Sequence, residues 1–180
     1  MNTNTVNKNT FNLVKNKNLF DIAKTRILSG HNGNSVVIPH VCNNVNAFGA
    51  GFAGQIAYLY PQVKANFHLL GNKSKLGHTQ FIVAETDTKY KHQMIFANMI
   101  AQNKLISPSN TRPLNYGALV YAMSQVRNYI KDLEKNIESK KIEIHAPKFG
   151  SGLAGGNWSF IADLIDDIWN DIPVFIYTYK

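Results

Sequence analysis

A chain of 180 residues, 44% hydrophobic and 11% aromatic, is long enough to bury most of its apolar surface in one core. Its net charge of +8 is uneven: residues 1–131 hold 14 basic and 3 acidic side chains, residues 132–180 hold 5 and 8. That asymmetry favours an anionic partner for one face, with a merely solvated lysine-rich surface as the plain alternative. No apolar run is long enough to span a membrane, Met1–Thr5 lacks a signal peptide's apolar core, and a single cysteine, Cys42, excludes an intramolecular disulfide. A cytoplasmic protein with no membrane partner is expected. The six histidines show no metal-ligand spacing, so neither a structural zinc nor another metal is predicted.

The first nine residues are polar and asparagine-rich and read as a flexible tail. A short strand is predicted at Phe11–Val14, a short helix from Asp21 to Leu28, and a turn-rich break at Gly30–Asn34. Val36, Val37 and Ile38 mark a strand over 35–41. Phe52, Ile56, Leu59 and Tyr60 mark a helix over 51–60 that Pro61 stops. Thr79–Ala84 and His92–Ile100 read as neighbouring strands on a short connection, and 103–115 as an irregular loop. The longest helix follows, with Tyr116, Leu119, Val120, Met123, Val126, Ile130, Leu133 and Ile137 on one core-facing stripe. A strand over 142–146, a glycine loop, a helix over 157–169 with Asn157 as its cap, and a strand Val174–Tyr177 complete the chain. Helices interleaved with strands predict an α/β fold: a three-layer α/β/α sandwich with a largely parallel, mixed central sheet, forming one domain over residues 10–180.

Two loops carry the functional signal. His40–Phe52 and Pro147–Trp158 each leave an apolar strand, pass through several glycines and open a helix. Such a turn brings backbone N–H groups and the positive end of a helix dipole to one point, which suits phosphate. Neither loop is a G-x-x-x-x-G-K-[ST] motif, and ordinary tight turns remain the alternative. Two such units in one small domain suit a ligand with two phosphates, held in a crevice beyond the C-terminal strand ends.

These residues resemble the macrodomain family, which binds ADP-ribose. The nearest likeness is to its yeast-type ADP-ribose-1''-phosphate phosphatases and related terminal ADP-ribose glycohydrolases. It runs from about Phe11 to Tyr179 and is sharpest in two stretches. His40–Pro61 looks like H-x-C-N…G-x-G-x-A…P, and Pro147–Trp158 looks like P-x-x-G-x-G-L…W. The resemblance implies a macrodomain-like domain with no cofactor that hydrolyses the terminal phosphate of ADP-ribose-1''-phosphate, a phosphoric monoester hydrolase. Non-catalytic capture of ADP-ribose, removal of ADP-ribose from macromolecules, and nucleic-acid binding stand behind it, in that order.

Residue by residue, the resemblance implies that Gly49, Ala50, Gly51 and Phe52 surround the distal ribose and diphosphate. Gly150, Ser151, Gly152, Leu153, Ala154 and Gly155 would present N–H groups to the phosphates. Asn18 and Leu19 would lie at the adenine, with Tyr177 packing against it, and Asn46 would contact ligand. His40 and Asn43 would be the catalytic pair, His40 protonating the departing oxygen or orienting water. Read without the family, His40 is a histidine with a satisfied hydrogen bond at a strand end. Ala154 stands where the glycohydrolases carry an aspartate, which argues against glycohydrolysis, and no acidic partner for His40 is evident. Arg112 offers charge near a phosphate, without a spacing argument.

Overall fold

The computed structural model describes residues 10–136 and 141–178. The predicted tail at 1–9 and Ile137 lie outside the described residues. Six strands, β1 (Asn12–Lys15), β2 (Ser35–Asn43), β3 (Thr79–Thr86), β4 (Gln93–Gln102), β5 (Ile142–Pro147) and β6 (Val174–Thr178), form one sheet in the order β1-β6-β5-β2-β4-β3. All neighbours are parallel except β3, which runs antiparallel to β4 at the edge. The five helices are α1 (Leu19–Leu28), α2 (Gly51–Leu59), α3 (Pro61–His68), α4 (Tyr116–Asn136) and α5 (Trp158–Ile168).

Alternation along the strands explains the three layers. In β2 and β4, Val37, Ile95, Ala97, Met99 and Ala101 pack beneath the apolar stripe of α4 and against Ile161 and Ile165 of α5. Their neighbours Val36, Ile38, Met94, Phe96 and Ile100 face the other way and pack on α1, α2 and α3. Both faces are covered, so the central strands are apolar on both sides, as a buried parallel sheet requires. The predicted α/β/α sandwich is therefore the fold observed.

Pro61 does not simply end a helix. Tyr60 breaks the first helix and Pro61 then occupies the first turn of α3, where its missing N–H costs nothing. Val63 and Phe67 of α3 are fully buried on the sheet.

One interruption positions the site. β2 pairs with β5 only through Ser35–Val37, although β2 continues beside β4 as far as Asn43. Pro39 has no N–H to give the ladder, so the two strands part beyond Val37. Their C-terminal ends, and the two glycine loops that leave them, open on either side of this split.

Candidate ligand-binding cleft

A cavity of about 530 Å³ lies at the split. Its floor is the end of β2, His40 to Asn43; one wall is Ala47–Ala53, and the facing wall is Pro147–Gly150 with Gly152–Ala154. Gln102, Leu105 and Ile106 close a third side.

The first loop is shaped by Asn43. Its Oδ1 accepts from the N–H groups of Val45 (3.1 Å) and Ala47 (3.0 Å), and its Nδ2 donates to Ala47 O at 2.7 Å. The chain then enters α2 through Ala50, which supplies no side-chain cap. By contrast, Asn18 caps α1 by accepting from Phe20 and Asp21, and Asn157 caps α5 by accepting from Phe160. The first i→i−4 bond of α2 is Gly54 N to Ala50 O, so the N–H groups of Gly51, Phe52 and Ala53 precede the hydrogen-bonded turns. All three residues line the cavity. The positive end of an uncapped helix is thus turned into the cleft.

The second loop holds its shape through its own backbone. Gly156 N donates to Gly150 O at 2.8 Å and Gly155 N to Gly152 O at 2.9 Å, while Ala154 O accepts from Leu114 N at 3.0 Å. Gly150 has φ +74° and Gly155 +70°, the left-handed region that favours glycine. Among the described residues, the N–H groups of Ser151, Gly152, Leu153 and Ala154 meet no protein acceptor. Three of these four residues, Gly152, Leu153 and Ala154, line the same cavity as the N-terminus of α2.

His40 is only 2% exposed, although it is one of the residues lining the cavity. Its Nε2 lies 2.6 Å from Asn98 Oδ1, and Phe48 and Phe52 stand edge-on to the ring. Burial drives its pKa down to about 4, against the smaller upward effect of the Asn98 bond. The imidazole is therefore neutral at pH 7 and holds no proton for a leaving group. A neutral ring favours orienting water, or the hydrogen-bonded strand-end histidine, over acting as a general acid. Cys42, also at the floor, is a protonated thiol, its pKa raised by burial.

The structure brings His40, Asn43, Gly49, Ala50, Gly51, Phe52, Gly150, Gly152, Leu153 and Ala154 together around the cavity. Others fall elsewhere. Tyr177 is 2% exposed, and its hydroxyl is 2.7 Å from Nδ1 of the buried His145, because its place in the alternation of β6 turns it under α1. Leu19 is fully buried in the same core cluster. Asn18 spends its Oδ1 on the α1 cap and lines an adjoining hollow of about 420 Å³ that shares Gly51 with the cleft. Asn46 (φ +58°) reaches His68 Nδ1 at 3.0 Å, and Ser151 Oγ donates to Lys148 O. Gly155 packs against the 103–115 loop, where a Cβ would meet Thr111 O at 2.7 Å. The Arg112 guanidinium lies over Tyr116, 4.7 Å from the ring centroid.

Two features escaped the sequence reading. Asn98 is one, since 58 residues separate it from His40. The other is the Leu105–Ile106 wall, whose two adjacent apolar residues in a polar loop were the available signal. Asn110 holds that loop by donating to Asn103 O and Leu105 O, and Lys104 N donates to Asn44 Oδ1.

No protein-family model matches the chain. Over 150 residues it is 27% identical to an uncharacterized 17.5 kDa protein of the tk-vs intergenic region of Enterobacteria phage T4, covering 79% of this chain and 86% of that one. A macrodomain protein from Streptomyces coelicolor superposes with a TM-score of 0.61 at 28% identity, over 82% of this chain and 90% of that one. Thermosipho africanus DarTG, solved in complex with ADP-ribose, gives 0.65 at 20% identity over 96% of this chain and 43% of the longer one. The architecture built from this sequence is therefore the macrodomain fold.

Proposed function

We propose that this chain binds ADP-ribose in the cleft, with the diphosphate on the N–H groups of both glycine loops. One observation carries the proposal: the uncapped N-terminus of α2 shares a single cavity with Gly152, Leu153 and Ala154 of the second loop, whose N–H groups meet no protein acceptor among the described residues. Diphosphate oxygens are pure acceptors and meet both sets of donors at once. The likeness of fold to a protein solved with ADP-ribose supports the same ligand class.

Binding is favoured over rapid turnover. A neutral His40 is a poor acid at neutral pH. Ala154 gives the second loop no carboxylate. Release of phosphate from ADP-ribose-1''-phosphate would then rest on water and backbone dipoles alone, and would be slow.

Calorimetric titration with ADP-ribose, followed by a phosphate-release assay with ADP-ribose-1''-phosphate on the same sample, tests this. Saturable binding with little release is expected. Rapid release abolished by His40→Ala would instead make the protein a phosphatase dependent on that imidazole. A flat titration would overturn the binding proposal.

A further inference from the structure

The polar groups beneath the cleft form one chain with a defined direction. Gln80 Nε2 lies 2.9 Å from the backbone carbonyl of Asn66, near the C-terminal end of α3. A carbonyl only accepts, so the amide nitrogen of Gln80 must face it. Its Oε1 then faces Asn98 and accepts from Asn98 Nδ2 at 3.0 Å. Asn98, fully buried in β4, is left with Oδ1 towards His40 Nε2 at 2.6 Å. An oxygen there requires a proton on Nε2. The tautomer of His40 is thus set by a backbone carbonyl two amides away.

The other nitrogen of the ring, Nδ1, is then a lone-pair acceptor. Cys42 Sγ lies 3.7 Å from it and 3.8 Å from Nε2, so the thiol offers Nδ1 a long, weak donor at most. Among the described residues, the groups meeting the ring are Cys42 on its own strand, Asn98 on β4, and Phe48 and Phe52 from the first loop and α2. None of them is charged.

The structure assigns Asn98 as a positioning residue of the cleft: it holds His40, one of the residues lining the cavity, as the Nε2–H tautomer, leaving Nδ1 as the ring's acceptor for a hydrogen bond from a ligand hydroxyl. The second half rests on the ADP-ribose proposal, since a ribose supplies such hydroxyls and a phosphate does not. The first half concerns the free protein alone. A ligand O–H is a stronger donor than a thiol and would displace Cys42 from Nδ1. No proton is transferred.

Imidazole ¹⁵N NMR of the intact protein tests the two halves separately. Without ligand, His40 should show a protonated Nε2 and an unprotonated Nδ1 from pH 6 to 8; the reverse tautomer, or a rapidly averaging pair, overturns the assignment of Asn98. With saturating ADP-ribose, the Nδ1 resonance should shift as it gains a donor, while an unmoved resonance in a bound complex overturns the acceptor role. Absence of any ADP-ribose binding would count against the proposed ligand and leave the tautomer result standing. In Asn98→Asp, a carboxylate beside Nε2 should raise the His40 pKa by about 2 or more, so that at about pH 5 the variant's ring is protonated on Nδ1 while the wild-type ring stays neutral, and the variant binds ADP-ribose about tenfold more weakly there. A neutral ring in that variant, or unchanged affinity with a protonated one, contradicts the proposal. Because the wild-type spectra need no variant, misfolding of Asn98→Asp would not blunt the test.

Discussion

Gly51 and Leu153 face one another across the cleft: a Cβ placed on Gly51 would stand 3.7 Å from Leu153 Cδ1. These residues are about a hundred positions apart and belong to different loops. They meet because β2 and β5 are neighbours in the sheet and part beyond Val37. The two donor sets therefore open onto one space rather than two.

The missing cap of α2 gives two effects of opposite sign. Ala50→Asp supplies a side-chain acceptor and a negative charge at the helix N-terminus. It should stabilise the free protein by about 0.5–2 kcal/mol. The same carboxylate would occupy the proposed diphosphate position and weaken ADP-ribose at least ~tenfold, through charge repulsion worth over ~1.4 kcal/mol. Thermal unfolding and calorimetry on one sample read both effects; a variant that is stabilised yet binds normally would place the phosphates elsewhere.

Glycines of the second loop should differ sharply. A Cβ on Gly156 would collide with Leu114 Cδ2 and stand 2.5 Å from Gly150 O, whereas one on Gly152 meets nothing within 4 Å. Gly156→Ala should cost about 1–3 kcal/mol and displace the loop. Gly152→Ala should change stability by less than about 0.5 kcal/mol. Denaturant unfolding of the two variants checks this ordering.

His40 makes stability depend on mildly acidic pH. Burial lowers its folded pKa to about 4 from an ordinary 6.5. As pH falls below 6.5 the unfolded chain takes up a proton that the folded protein refuses. Stability should therefore decline between about pH 6.5 and 4, by on the order of 3 kcal/mol in all. The slope of unfolding free energy against pH in that window should flatten in His40→Gln. An unchanged slope would mean that the ring is not neutral in the folded state.

A second buried cluster acts lower on the pH scale. Glu143 accepts from Asn34 Nδ2 (2.7 Å) and lies 2.9 Å from His145 Nε2 and 3.3 Å from Arg26 Nε. Burial alone would raise its pKa; the His145 bond, Arg26 and Asn34 outweigh it and hold the carboxyl below its usual range. Its contribution is present above the ordinary glutamate pKa and disappears as pH falls through the lowered one. Glu143→Ala should cost about 3 kcal/mol, because it strands partners inside the protein. None of these side chains lines the cleft, so ADP-ribose affinity should stay within about twofold, a free-energy change of ~0.4 kcal/mol. Parallel melts and titrations of the variant check both halves.

What was legible in the sequence follows periodicity. The stripe from Tyr116 to Leu133 and the apolar runs of the central strands gave the layers, since helix and strand spacing is local information. Pro61 misled because proline suits both a stop and the first turn of a helix, and only packing of Val63 and Phe67 decides. The glycine-rich turns between apolar strands and helices located the two loops and family likeness gave their residues roles, but neither showed which side chains turn inward. Tyr177 went to the core because of its place in the alternation of β6, and Asn46 turned to His68. The neutrality of His40 could not be read at all: it arises from burial beside two aromatic rings, which outweighs the opposing bond from Asn98 on another strand.

Backbone amide NMR of uniformly ¹⁵N-labelled protein, titrated with ADP-ribose, tests the central claim most directly. The N–H resonances of Gly51, Phe52 and Ala53 should move together with those of Ser151, Gly152, Leu153 and Ala154, along one saturating curve. Movement of one loop alone, or shifts confined to the basic outer surface, would contradict a diphosphate held between the two.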